Sequence, residues 1–303
     1  MTDSIARYYI PVNHFTEPRP QAQPHAFEAE RQQVFGSEAR GPTRRVLLDL
    51  SPGLALPFAA TTHTMLASYL VVRAGESLEL DLRCLSSLAW VIDGQGRAEV
   101  DGRVLEWQPG ELLSLPGDTP ARFTATRDAI LFHACDAPLC RYLSMAPRLD
   151  GEARQPVHYT ADAIAQRMRE LEALDGQEAV GRAIIFTTAA QADHHTTTPF
   201  LISNINTLLP GADQRTHVHN GAALTLSLRG EGTYSVVGGT RVEWQPYGVM
   251  VTPAAMPHSH HNRGRELMVS LVVQDSGFYE HARTSGFGFR PEGDARAAAM
   301  PGG

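Results

Sequence analysis

The strongest constraint on this chain is that its sequence repeats itself. Gly75, Gly94 and Gly96 recur as Gly211, Gly230 and Gly232 at a constant offset of 136 residues, and Thr61-Thr62 recurs as Thr197-Thr198 at the same offset. Further on, Trp107-Gln108-Pro109 recurs as Trp244-Gln245-Pro246, and Pro116 as Pro253, at an offset of 137. Turns and close packing fix the positions of glycine, proline and tryptophan, so their ordered recurrence marks a duplicated structural unit.

Each copy reads as β-structure. Short apolar or alternating runs such as Ser68–Val72, Leu88–Ile92 and Ala223–Leu228 are separated by turn signals at Asp93-Gly94, Asp101-Gly102, Pro116-Gly117 and Gly238-Gly239. The expected fold class is all-β, two tandem small barrels of the sandwich or jelly-roll kind. Between them, Ile164, Met168 and Leu171 fall at helical spacing behind Thr160, a candidate N-cap, so a linker helix is expected over Ala161 to Leu174. The proline-rich stretch from Pro11 to Pro24 reads as an extended arm. The expected division is arm and lead-in 1–60, first barrel 61–150, linker 151–185, second barrel 186–290 and flexible tail 291–303, with Ala295 to Gly303 frayed.

Composition narrows the function classes. Of 303 residues 43% are hydrophobic and 19% charged, and no apolar run approaches the length of a membrane helix. The start lacks a basic segment followed by an apolar stretch, and Cys84, Cys135 and Cys140 form no CxxC pair, so a cytoplasmic protein without a disulfide framework is expected. The net charge is -7 and the arginines are scattered, which argues against a nucleic-acid partner; no membrane partner is expected either.

Histidine is the unusual component. His217 and His219 are two apart, and residues i and i+2 of a strand face the same way. His258 lies 39 residues beyond His219, past a hairpin and the Pro253 turn, where a returning strand can bring a third imidazole. A single strand histidine is most often an ordinary core or surface residue. Three at matched positions of sequential hairpins instead suit one first-row divalent ion.

These residues resemble the cupin superfamily. Its first motif runs glycine, five residues, His-x-His, three or four residues, glutamate, six residues, glycine; here Gly211, His217, His219 and Gly230 stand in register, with Ala223 at the glutamate. Its second motif is met by Pro253, His258 and Asn262, while Tyr247 and Ala255 occupy positions usually held by glycine, the leading glycine being displaced to Gly248. The resemblance covers roughly residues 61 to 285 and implies a bicupin. In the first copy Asp81, Arg83, Ser87 and Ala121 replace the metal-binding residues, so no metal is expected there; Asp81 and Arg83 share a strand face and are read as pairing with each other or with neighbours.

A three-histidine site without a carboxylate resembles that of the gentisate and salicylate 1,2-dioxygenases. The resemblance implies a ring-cleaving enzyme that uses Fe(II) and dioxygen on a hydroxylated aromatic acid; Mn, Ni or Zn are the other metals such a site accepts. It also implies that His260, second of the pair in His258-Ser259-His260, helps to bind substrate. That family places its metal in the first cupin, and it has an arginine where this chain has Thr225. Thr225 and Ser227 share the inward parity of Ala223, and Arg215 (inward by the same parity) and Arg229 are the candidate cations for a substrate carboxylate.

The competing readings are a metal-dependent isomerase, lyase or hydrolase, and a cupin that binds a ligand without turnover. His261 is expected to point away from the site, and Asp193-His194-His195 to form a solvated loop. Trp107 and Trp244 are expected to pack. Cupins commonly pair sheets edge to edge, so a homodimer or homotetramer is expected, with the arm before Arg40 covering a strand of a neighbour.

Overall fold

The computed structural model of the chain describes residues 19–37, 39, 41–81, 83–174 and 181–290. The expected tail from Ala295 to Gly303 and the start of the arm, Pro11 to Pro18, lie outside these residues. The chain forms two β-barrels packed sheet against sheet, with antiparallel pairing between all named strands.

In the first copy, two 15-residue strands, Ser86–Val100 and Ala121–Cys135, pair with each other and carry the sheet around the barrel. Their register slips between Val91 and Gly96, and these bulges let so long a strand turn the corner. Gly94 sits there at φ +91, where a Cβ would come within 2.4 Å of the Ala129 Cα; this is why glycine recurs at the position.

Strand Leu66–Val72 is buried at all seven positions. Its Leu70 and Val72 fill the first barrel, whereas Ala67, Tyr69 and Val71 face the seam between the copies. Burial on both faces explains an unbroken apolar run where a half-exposed strand would alternate. Each buried Leu or Val in such a place contributes roughly 1.5–3 kcal/mol.

The second copy has a six-stranded sheet ordered His25–Ala26, Val249–Thr252, Ala223–Arg229, Met268–Gln274, Ile202–Leu208, Arg182–Phe186. Facing it is a five-stranded sheet ordered Thr240–Glu243, Thr233–Val237, His258–Asn262, His217–Val218, Gly288–Phe289. Leu224, Leu226, Val249, Val251, Leu271 and Val273 turn to the seam, where they join Tyr69, Leu88 and Trp90 in one core. Related polar contacts cross the seam: Ser86 Oγ meets Thr198 Oγ1 at 2.6 Å, and the Thr64 hydroxyl donates to Asp275.

The two interiors differ in kind. Leu70, Val91, Leu113, Leu115, Phe123 and Leu131 fill the first barrel with hydrocarbon. At the inward positions of the second barrel stand Asn204, Asn206, Thr225, Ser227, Thr252 and Gln274 instead. The duplicated shell is packed throughout in the first barrel, while the second holds a smaller apolar cluster of Leu208, Val237, Trp244, Met250 and Met268 beside a polar cavity.

Some local expectations are altered. The linker helix spans Ala161–Glu172, with Thr160 Oγ1 accepting from the Ala163 N–H and Ile164 buried. The described part of the proline-rich stretch, residues 19–24, has no helix or strand, and the lead-in after it contains the helix Glu28–Phe35. Its strand His25–Ala26 adds to Val249–Thr252 of the same chain, so the arm covers an edge of its own second barrel. Phe35 then wedges between Tyr69 and Tyr247, with ring centroids 5.6 and 5.4 Å away. Asp81 and Arg83 do not share a strand face: strand Ser77–Leu80 has already ended, both side chains are exposed, and no ion pair joins them among the described residues.

Candidate metal centre

His217 and His258 are direct cross-strand partners, and their rings lie 4.2 Å apart. His219 follows the short strand His217–Val218 and reaches the same point from the loop, its ring 4.7 Å from that of His258. A turn holds this loop: Ala255, at φ +58, donates its N–H to His219 O at 2.8 Å. The left-handed backbone that a glycine would adopt freely is therefore kept by an alanine. Tyr247, at φ +56, does the same at the other glycine position.

All three imidazoles are oriented by one device. His217 Nδ1 donates to Arg215 O at 3.0 Å, His219 Nδ1 to Gly221 O at 2.7 Å and His258 Nδ1 to Met256 O at 2.9 Å. A ring nitrogen facing a carbonyl must carry the proton, so each Nε2 is left with its lone pair. The ligand atoms of the three residues lie within 4.8 Å of one another. Burial lowers the pKa of all three, that of His217 to about 4, with the neighbouring histidines adding to the effect at His217 and His258. Near neutral pH they are uncharged, as metal ligands must be.

His260 lies behind His258, with ring centroids 5.9 Å apart, and is buried. Its Nδ1 is 2.6 Å from Ser235 Oγ, which also accepts from Trp244 Nε1 at 2.7 Å. Burial, more than the charges of His217 and its other neighbours, lowers its pKa to about 3. Trp107 and Trp244 are both buried, but Trp244 additionally sets its ring against His260. His261 faces the opposite side, bonded to Asp213 at 2.6 Å and to Ser259 at 2.9 Å. His194 ends a short 3-10 helix and meets His281 at 3.3 Å, apart from the three-histidine cluster.

A cavity of about 270 Å³ opens onto His217 and His219 and is walled by Asn204, Asn206, Gln214, Gln274 and Phe287. None of the five residues expected to meet substrate lines it, neither His260 nor Arg215, Thr225, Ser227 and Arg229. Arg215 is exposed and lies over the Phe289 ring at 4.5 Å, because the chain is irregular before His217 and turns Gln214 inward instead. Arg229 stands at the far end of its strand, bonded to Leu267 O at 3.1 Å beside a different hollow. Thr225 and Ser227 do point inward, yet they line a third hollow, shared with Arg31 and Trp244 under the arm helix. Sequence reasoning missed the carboxamides and Phe287. Asn204, Asn206 and Gln274 carry the inward parity of their strands, but only the observed register brings them to the histidines.

A cupin-domain family model matches residues 204–274, the segment that contains all three histidines. A curated relative, 5-aminosalicylate 1,2-dioxygenase from a Comamonas species, is 26% identical over 271 residues, which is 78% of this chain and 72% of that protein. Among solved structures, salicylate 1,2-dioxygenase from Pseudaminobacter salicylatoxidans superposes with a TM-score of 0.74 at 16% identity, covering 93% of this chain and 92% of the other. A mutant of Bacillus subtilis oxalate decarboxylase matches with a TM-score of 0.54 at 15% identity over 91% and 86% of the two chains. At such identities the structures speak for the fold alone, which hosts unlike chemistries. The chain shares the two-barrel fold of these proteins, its second barrel carries both the cupin-domain match and the three-histidine cluster, and it resembles the gentisate and salicylate 1,2-dioxygenases.

Proposed function

We propose that this protein is a ring-cleaving dioxygenase that acts on a hydroxylated aromatic acid and holds ferrous iron on His217, His219 and His258. The observation that carries the reading is the triad itself: three neutral imidazoles, each with Nδ1 tied to a carbonyl, offer three Nε2 lone pairs to one point. Nitrogen ligands about 2.1 Å from a common ion stand roughly 3 Å apart, so small ring rotations convert the observed cluster into a metal face. The similarity to 5-aminosalicylate 1,2-dioxygenase supports the choice among the chemistries such a face permits. Iron bound there would supply the electron transfer to dioxygen that opens an aromatic ring.

The chain's own residues supply placement. Three histidines occupy one side of the site and leave the side toward Gln274 and Phe287 for a planar ligand. Phe287 stands 5.3 Å from the His217 ring at the mouth of the cavity, where it shields the ligand from water and offers an aromatic face. The Trp244–Ser235–His260 chain of hydrogen bonds fixes the wall behind His258. The test is anaerobic loading with ferrous iron, followed by oxygen-electrode assays over salicylates, dihydroxybenzoates and hydroxynaphthoates. Oxygen uptake with at least one ring-opened product is expected. Full iron occupancy with no uptake on any of them would overturn the reading, and turnover that persists without oxygen or with zinc would select a Lewis-acid enzyme.

A further inference from the structure

The position that cupins fill with a metal-binding glutamate is Ala223, and its cross-strand partner is Gln274. The Gln274 carboxamide reaches into the space that the shorter side chain leaves. Its Nε2 lies 3.4 Å from His219 Nε2, and its Oε1 accepts from Ser276 Oγ at 3.3 Å. His219 Nε2 bears a lone pair, because its Nδ1 is the protonated nitrogen. The Ser276 hydroxyl holds the amide oxygen on its own side, so the N–H is the group facing the triad whether the His219 lone pair is free or on an ion.

Further carboxamides wall the same cavity. Asn204 Nδ2 reaches Asn206 Oδ1 at 3.4 Å, and Asn204 Oδ1 is buried with no hydrogen-bond partner among the described residues. No lysine or arginine lines the cavity among the described residues. A ligand here meets amides, hydroxyls and one carboxylate, Glu280, and no side chain that would neutralise a negative charge.

We propose that Gln274 is the substrate-binding donor of this site, its carboxamide N–H taking an oxygen of a bidentate oxygen ligand seated against the three histidines. The inference rests on the metal-site reading above and deepens it by naming the ligand class. The site accepts ligands whose negative charge is confined to the two chelating oxygens, such as salicylates and catechols. A further carboxylate on the ring would be desolvated beside amides without a cation to pair with. A carboxylate at 274 would instead compete for the ion.

The experiment uses the full chain loaded with Co(II), and reads Co(II) affinity and, separately, binding of 4-nitrocatechol by its visible spectrum. Gln274→Ala is expected to bind Co(II) within about threefold of wild type and 4-nitrocatechol about tenfold more weakly, the loss of one hydrogen bond to an anionic oxygen. Gln274→Glu is expected to hold Co(II) more tightly and the probe more weakly. Ser276→Ala, which frees the amide to turn, gives a smaller loss of probe affinity. Wild type is expected to prefer salicylate to 4-hydroxyisophthalate by about tenfold or more. Unchanged probe affinity in Gln274→Ala overturns the proposal, as does a tenfold loss of Co(II), which would make Gln274 a ligand. A wild type that takes up no Co(II) overturns the metal reading itself, which is a separate failure.

Discussion

At two glycine positions of the motif, residues keep backbone conformations that their side chains oppose. Ala255 and Tyr247 both hold a positive φ at positions where the motif has glycine, and Ala255 closes the turn that supports His219. The left-handed conformation costs an L-residue about 1–2 kcal/mol, partly offset because glycine loses more freedom on folding. Ala255→Gly is therefore expected to stabilise the protein by about 0.5–1 kcal/mol in urea denaturation; destabilisation would show that the methyl packs usefully. Asp275 gives a pH signature. Burial outweighs its hydrogen bonds from Thr64 and Ala222 and pushes its carboxyl up to about 6. An unfolded aspartate titrates near about 3.9, so its contribution is complete below that pH and is lost as pH rises through about 6. Asp275→Asn should thus gain stability relative to wild type between about pH 4 and 7, while the buried histidines act alike in both proteins. A difference independent of pH would contradict the burial.

At the scale of elements, the arm helix Glu28–Phe35 has a single fully buried position, Val34, and reaches the seam through half-buried Phe35. Phe35→Ala should cost about 2 kcal/mol, less than a fully buried phenylalanine, and a melting curve unchanged from wild type would remove the wedge from the account. This helix was not legible in the sequence, since its charged run EAERQQV carries no apolar stripe and its place is set by partners far along the chain. The duplicated strands and the three-histidine cluster were legible, because glycine and proline positions and i, i+2 parity are local properties. Arg215 shows where parity fails: it assumes a regular strand, and the strand begins only at His217. Gln274 shows the other limit, since its role follows from the residue across the sheet and not from its own neighbours.

For the whole molecule, one shell has been used twice, filled with hydrocarbon in the first copy and, in the second, packed over one part and left polar around the histidines. Strands Arg44–Leu48 and Arg182–Phe186 end their sheets and present the exposed side chains of Leu47 and Ile185. Such edges favour pairing between copies of the chain, so light scattering is expected to give a dimer or larger assembly, and a monomer at working concentration would contradict it. The central claim is that the second copy alone holds a metal ion. Elemental analysis of the purified chain beside its His258→Ala variant tests it most directly. One ion per chain in the wild type and none in the variant is the expected result. Two ions per chain, or an ion retained without His258, would contradict the account.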